Sequence, residues 1–88
     1  MSLFPRQGQG VFADVAAAGY HLRLFSSETG VGPAAAVFDV NARQWVRRAW
    51  ADDIEDGKRR AEQLAREYLR NEAPSSAPFP APEWKEAG

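Results

Sequence analysis

The sequence predicts an α+β fold, a three-stranded antiparallel sheet with one C-terminal amphipathic helix packed on one face, in the order β-β-β-α. Three observations carry that expectation. Apolar residues alternate with period two over 20–25, and strand-like segments follow over 34–40 and 44–51. Turn-forming residues separate them. An apolar period near 3.6 residues then runs over 53–70.

Residues 1–19 form an N-terminal segment with a weak signal. Gly8 and Gly10 break up its start, and the run Val11 to Ala18 reads either as a short helix or as an edge strand, ended by Gly19. From Tyr20 the alternation is plain: Tyr20, Leu22 and Leu24 point one way, and His21, Arg23 and Phe25 the other. Residues 26–33, with two glycines and a proline, read as a loop. The second strand, 34–40, opposes Ala36, Phe38 and Val40 to Val37 and Asp39, and Asn41-Ala42-Arg43 makes a tight connection. Residues 44–51 are the third strand.

The helix is the element closest to being dictated. Asp52 and Asp53 offer an N-cap, and Glu55 and Asp56 place negative charge in the first turn, where the helix dipole favours it. Ile54, Gly57, Ala61, Leu64, Ala65, Tyr68 and Leu69 share one face at 100° per residue. Of these, all but Gly57 are expected to pack on a sheet surface made by Tyr20, Leu22, Leu24, Phe38 and Val40. The basic run Lys58-Arg59-Arg60 is answered by acidic residues one turn away. Glu55 with Arg59, Asp56 with Arg60 and Glu62 with Arg66 are favourable i,i+4 pairs, so this face reads as solvated rather than as a DNA-reading helix.

Eighty-eight residues suffice for one domain. The expected division is the N-terminal segment 1–19, a core domain over 20–71 and a Pro-rich tail over 72–88. A packed unit of that size buries only about 60% of its unfolded surface, so its stability is marginal. There is no cysteine, hence no disulfide and no thiolate metal site. A small secreted domain usually needs that staple, so a cytoplasmic location is expected. The stretch Met1-Ser2-Leu3-Phe4-Pro5-Arg6 is too short and polar for a signal peptide, and no apolar run approaches the roughly 20 residues of a membrane span.

The net charge of −1 argues against a strongly basic nucleic-acid binder. Residues 1–70 nevertheless hold ten of the eleven basic residues against nine of the twelve acidic ones, and the tail is acidic. Only Lys58 and Lys85 are lysines. Arginine makes planar, bidentate contacts with phosphates and carboxylates and stacks on rings. A GC-rich coding sequence produces the same bias.

No catalytic constellation is legible. The single histidine, His21, has no acidic neighbour in sequence to orient it as a base. No serine sits in a Gly-x-Ser-x-Gly elbow, and Asp52-Asp53 is explained by helix capping more simply than by a cation. Gly30-Val31-Gly32-Pro33 lacks the ending of a phosphate loop and precedes no helix. An enzyme is therefore not expected, nor a metal or another cofactor.

One helix covers one face of such a sheet, so the other must be polar, dimerise or bind something. His21, Arg23 and Phe25 fall on that open face. The phase of the third strand is ambiguous: one choice exposes Val46, Arg48 and Trp50, the other Trp45, Arg47 and Ala49. Either adds a tryptophan and an arginine. The candidate contacts are thus Arg23, Phe25, Trp45, Arg47, Arg48 and Trp50. An aromatic surface with cations suits unpaired bases and their phosphates. A homodimer interface, or a surface for a larger protein partner, uses the same residue types.

The tail contains Pro74, Pro78, Pro80 and Pro82, which disfavour helix and lean toward polyproline II. Phe79 and Trp84 within it are expected to dock on the domain or on a second copy, covering part of the open face. The strand–strand–strand–helix order over 20–70 resembles, in topology, the arm-type DNA-binding domains of phage integrases and, more loosely, sheet-based single-strand binders. That resemblance implies nucleic acid as a partner, and a protein-interaction module remains the alternative.

Overall fold

Ala18 and Gly19 have positive φ angles of 53° and 83°. Two consecutive left-handed residues are what a type I′ turn requires, and its twist matches that of the strands it joins. In the computed structural model, which describes residues 10–73 and 78–86, this turn closes β1 (Gly10–Ala17) onto β2 (Tyr20–Thr29). Gly30 and Val31 make a second two-residue connection into β3 (Gly32–Asp39). The Thr29 hydroxyl holds it, donating to the Gly32 carbonyl at 2.7 Å and accepting from the Val31 N–H at 3.1 Å. Then come β4 (Gln44–Trp50), α1 (Ile54–Glu72) and a two-residue β5 (Lys85–Glu86). All pairings are antiparallel, in the order β4-β3-β2-β1-β5.

The α+β class holds, but the expected three-stranded sheet is five-stranded among the described residues. The alternative of a short helix within 1–19 is overturned: Gly10–Ala17 is a strand, and β5 pairs Glu86 with Val11 and Lys85 with Phe12 along its outer side. The expected loop over 26–33 shrinks to two residues, because Ser26 is fully buried and its hydroxyl donates to the Ile54 carbonyl at 2.6 Å. A serine with a partner under the helix extends the strand, whatever its composition suggests.

Asp53 caps α1, accepting the Asp56 N–H at 2.7 Å, and Asp56 accepts the Asp52 N–H at 2.9 Å. Arg60 and Arg59 also donate to the Asp56 carboxylate, at 2.7 and 2.8 Å. The Arg60 hydrogen bond above all, then the Asp52 N–H, pulls the Asp56 pKa down to about 2. The expected Asp56–Arg60 and Glu62–Arg66 pairs form, whereas Glu55 pairs with Lys58 instead of Arg59.

The helix seats closely on the sheet at Gly57. A Cβ there would lie 2.1 Å from the Ser26 hydroxyl oxygen and 3.1 Å from its Cβ. Ala61, Ala65, Tyr68 and Leu69 bury the rest of the helix stripe against Val15, Leu22, Leu24, Ala35 and Val37, with Leu64 partly buried beside them. Ile54 is half-buried. Phe38 and Val40 do not supply this core. The inward phase of β3 is Ala35, Val37 and Asp39, because the Tyr68 hydroxyl donates to the Asp39 carboxylate at 2.8 Å and makes a buried acid tenable. Val40 lies past the strand end and donates its N–H to the His21 carbonyl at 2.9 Å.

Phe79 and Trp84 pack against this same core, and the Arg66 guanidinium lies 4.8 Å from the Phe79 ring centroid. Phe79 and Trp84 therefore lie on the helix side and do not cover the open face. No helix among the described residues is long and apolar enough to cross a membrane.

Candidate functional site

The open face is built by register. Phe12 stands opposite Phe25, Asp14 opposite Arg23, Arg23 opposite Phe38, and Phe25 opposite Ala36. The phase left ambiguous in β4 is resolved by a β-bulge. Val37 pairs with Arg47 and Phe38 with Trp45, so Val46 is the extra residue. Val46 and Arg47 then both turn to the covered side. Val46 packs on the core, and the Arg47 guanidinium lies 5.3 Å from the Tyr68 ring centroid while donating to the Val46 carbonyl at 2.8 Å. On either side of the bulge, Trp45, Arg48 and Trp50 all reach the open face. Neither phase considered from the sequence included all three.

Trp45 meets Phe25 and Phe38 with ring centroids 5.1 and 5.0 Å apart, tilted at 53° and 68°. Such inclined geometry is favourable for aromatic pairs and leaves ring surface free. Trp45 is 61% exposed and Trp50 56%, the Arg48 guanidinium lying 5.8 Å from the Trp50 ring. Between Phe25, Trp45 and Arg48, over a floor of Ala34 and Ala36, lies a mainly apolar hollow of about 340 Å³. Ser27 contributes a hydroxyl to its lining. Arg47 contributes to the lining as well, although its guanidinium is engaged elsewhere.

The β1–β2 half of the face differs. Asp14 accepts from Arg23 Nε at 2.8 Å and Nη2 at 3.1 Å, and His21 Nε2 lies 3.1 Å from the same carboxylate. Arg23, first, and His21 hold the Asp14 carboxyl below its usual range, against the opposing effect of partial burial. Arg23 also lies 5.1 Å from the Phe12 ring. This half is therefore charge-compensated. In the β3–β4 half, no carboxylate among the described residues pairs with Arg48.

The structure thus brings Phe25, Trp45, Arg48 and Trp50 into one strip, puts Arg23 on the same face but in a bidentate pair, and turns Arg47 toward the helix. Phe79 and Trp84 lie on the opposite side of the sheet. Asp14 and Phe38 are the residues that sequence reasoning missed. Asp14 becomes visible once 11–17 is read as a strand paired through an Ala-Gly turn. Among the described residues, no three His, Cys, Asp or Glu side chains gather where a metal ion could be held. No protein-family model, curated protein or solved structure matches the chain.

Proposed function

We propose that this chain is a small, non-enzymatic, nucleic-acid-binding or regulatory protein of the cytoplasm that works through its open sheet face. The observation that supports this reading best is the β4 bulge, which collects Trp45, Arg48 and Trp50 beside Phe25. Exposed rings stack on bases at about 1–3 kcal/mol per base, and an unpaired guanidinium meets phosphate. The covered face has its own apolar core, so the helix does not need these rings. With a net charge of −1, long-range attraction to a polyanion is weak, and affinity rests on local contacts.

Titration of labelled single- and double-stranded oligonucleotides at two salt concentrations tests this. Saturable binding that weakens with salt is expected, because phosphate contacts release counterions. Absence of binding to both overturns it. The apolar lining of the hollow favours a second reading, a homodimer or an accessory or inhibitor protein docked on a larger protein, with the tryptophans as anchors. A concentration-dependent dimer that shields Trp45 from quenchers, with no oligonucleotide bound, is the result that selects the dimer.

A further inference from the structure

The open face holds two arginines in unequal states, and that inequality says which part of a nucleic acid goes where. Building on the nucleic-acid reading above, we infer that the ligand is a single strand, with one unpaired base in the hollow beside Trp45 and one phosphate at Arg48. Arg23 takes no part.

Three observations support the division. Both donor positions that Arg23 turns toward Asp14 are occupied, at 2.8 and 3.1 Å. Engaging a phosphate there means breaking a bidentate pair and bringing the Asp14 carboxylate next to a second anion. Arg48 has no such competitor among the described residues, and it stands between the two most exposed rings of the face, Trp45 and Trp50. The hollow is also walled by aromatic faces and floored by Ala34 and Ala36, with Ser27 as a hydroxyl in its lining. A planar ring enters such a space face-on. In a duplex each base is already stacked on its neighbours, so only an unpaired base offers a free face. With Arg23 held by Asp14, the β1–β2 half offers the backbone no free guanidinium, which confines the strand to β3 and β4.

The experiment compares three ligands of equal length, an oligothymidylate, an abasic phosphodiester and a duplex, against the wild-type chain and the variants Trp45→Leu, Arg48→Gln and Arg23→Gln. Circular dichroism first establishes that each variant is folded. For the wild type, the base-bearing strand binds more tightly than the abasic one and more tightly than a duplex. Trp45→Leu weakens the base-bearing strand about tenfold or more and leaves the abasic one nearly unchanged. Arg48→Gln lowers the slope of log affinity against log salt by about 0.7, the value for one phosphate on a single strand. Arg23→Gln leaves the slope nearly unchanged, since it removes no phosphate contact, and any change in affinity is a small loss from the Asp14 carboxylate it leaves without its bidentate partner.

Equal slope losses for Arg23→Gln and Arg48→Gln, or equal loss of both strands in Trp45→Leu, overturn this assignment while leaving nucleic-acid binding intact. Preference for the duplex has the same meaning. Failure of the wild type to bind any of the three overturns the parent reading and this inference together.

Discussion

The two faces of the sheet divide their bulk unequally. Under the helix, small and aliphatic residues dominate: Ala35, Ala61, Ala65, Val15, Val37, Leu22, Leu24 and Leu69 surround one ring, Tyr68, and a glycine stands at the closest crossing. On the side away from the helix stand Phe12, Phe25, Phe38, Trp45 and Trp50. Small residues let the helix approach until Ser26 reaches the Ile54 carbonyl, and that proximity buries the apolar stripe with Tyr68 as its buried ring, while Tyr20, Phe79 and Trp84 pack against it only partly buried. Aromatic side chains are the largest reserve of burial energy a chain has. Here five of them lie on the face that the helix does not cover, where they contribute least to the fold. Stability sits in the covered face, which holds the domain together and leaves the open face free for the ligand proposed above.

Paired substitutions test that separation most directly. Leu24 is fully buried, so Leu24→Ala is expected to cost about 2–5 kcal/mol, enough to unfold much of so small a domain. Trp45→Ser removes a far larger side chain, yet with most of its ring in solvent it is expected to cost about 1 kcal/mol or less. Chemical denaturation of both proteins reads the two numbers. A tryptophan loss equal to the leucine loss makes the open face part of the core.

The crossing at Gly57 gives the next largest effect. Helix propensity alone favours Gly57→Ala by about 1 kcal/mol. The new Cβ, however, falls 2.1 Å from the Ser26 oxygen and 3.1 Å from its Cβ, which forces the helix off the sheet or breaks the Ser26–Ile54 hydrogen bond. A net loss of about 2–4 kcal/mol is expected. Adding Ser26→Ala should recover part of it, since the two residues touch and their effects are not additive. A stabilised Gly57→Ala variant is incompatible with this packing.

Much of the covered face was legible in the sequence, and the reasons are local. The helix is expected over 53–70 and found over Ile54–Glu72, because its N-cap and its apolar period are encoded in neighbouring residues. The start of β2 and the turn near Asn41 follow for the same reason. What was not legible depends on partners. The run Ala16-Ala17-Ala18 hides β1 because alanine favours helix and is depleted in strands, and only the φ values of Ala18 and Gly19 make it a hairpin. Phe38 outweighs Val37 by bulk, yet the phase of β3 is set by Tyr68 bonding to Asp39, 29 residues apart. The bulge that gathers Trp45, Arg48 and Trp50 has no sequence signature at all, since it exists only as a mismatch in length between β3 and β4. The candidate surface was thus legible as a set of residues and not as an arrangement.

The Asp39–Tyr68 bond is the polar part of the covered core, and its loss has a smaller effect. Tyr68→Phe leaves the Asp39 carboxylate buried with the Ala42 N–H, at 3.1 Å, as its remaining partner in this network. A loss of about 1–3 kcal/mol is expected. The bond also has a pH signature. Burial, first, and the Asp39 carboxylate push the Tyr68 hydroxyl from 10.0 up to about 12. An unfolded chain ionises this tyrosine near 10, so the contribution is fully present below pH 10 and is lost as pH rises from 10 toward 12. Asp56 has the opposite sign. Its pKa falls from 3.8 to about 2, so its contribution is present above pH 4 and disappears as pH drops toward 2. Thermal melts across both ranges should show Tyr68→Phe flattening the alkaline limb and Asp56→Asn the acid one. An alkaline limb unchanged in Tyr68→Phe means that Tyr68 is not the group responsible.

The smallest effect concerns how residues of β1 are assigned to the two faces at all. Register in that hairpin is fixed by the turn, and a slip of one residue would carry Asp14 under the helix and bring Ala13 and Val15 into solvent. Ala18 occupies the first left-handed position, at φ 53°, where a residue with a Cβ is disfavoured by about 1–2 kcal/mol and asparagine less so. Ala18→Asn is therefore expected to stabilise the domain by about 0.5 kcal/mol, which corresponds to a rise in Tm of about 2–4 °C for a chain of this size. Because the turn lies away from Trp45 and Arg48, oligonucleotide affinity should not change. An unchanged or lowered Tm means that residues 18 and 19 do not form the left-handed pair. The pairing of Asp14 with Arg23, and with it the compensated half of the open face, then loses its geometric basis.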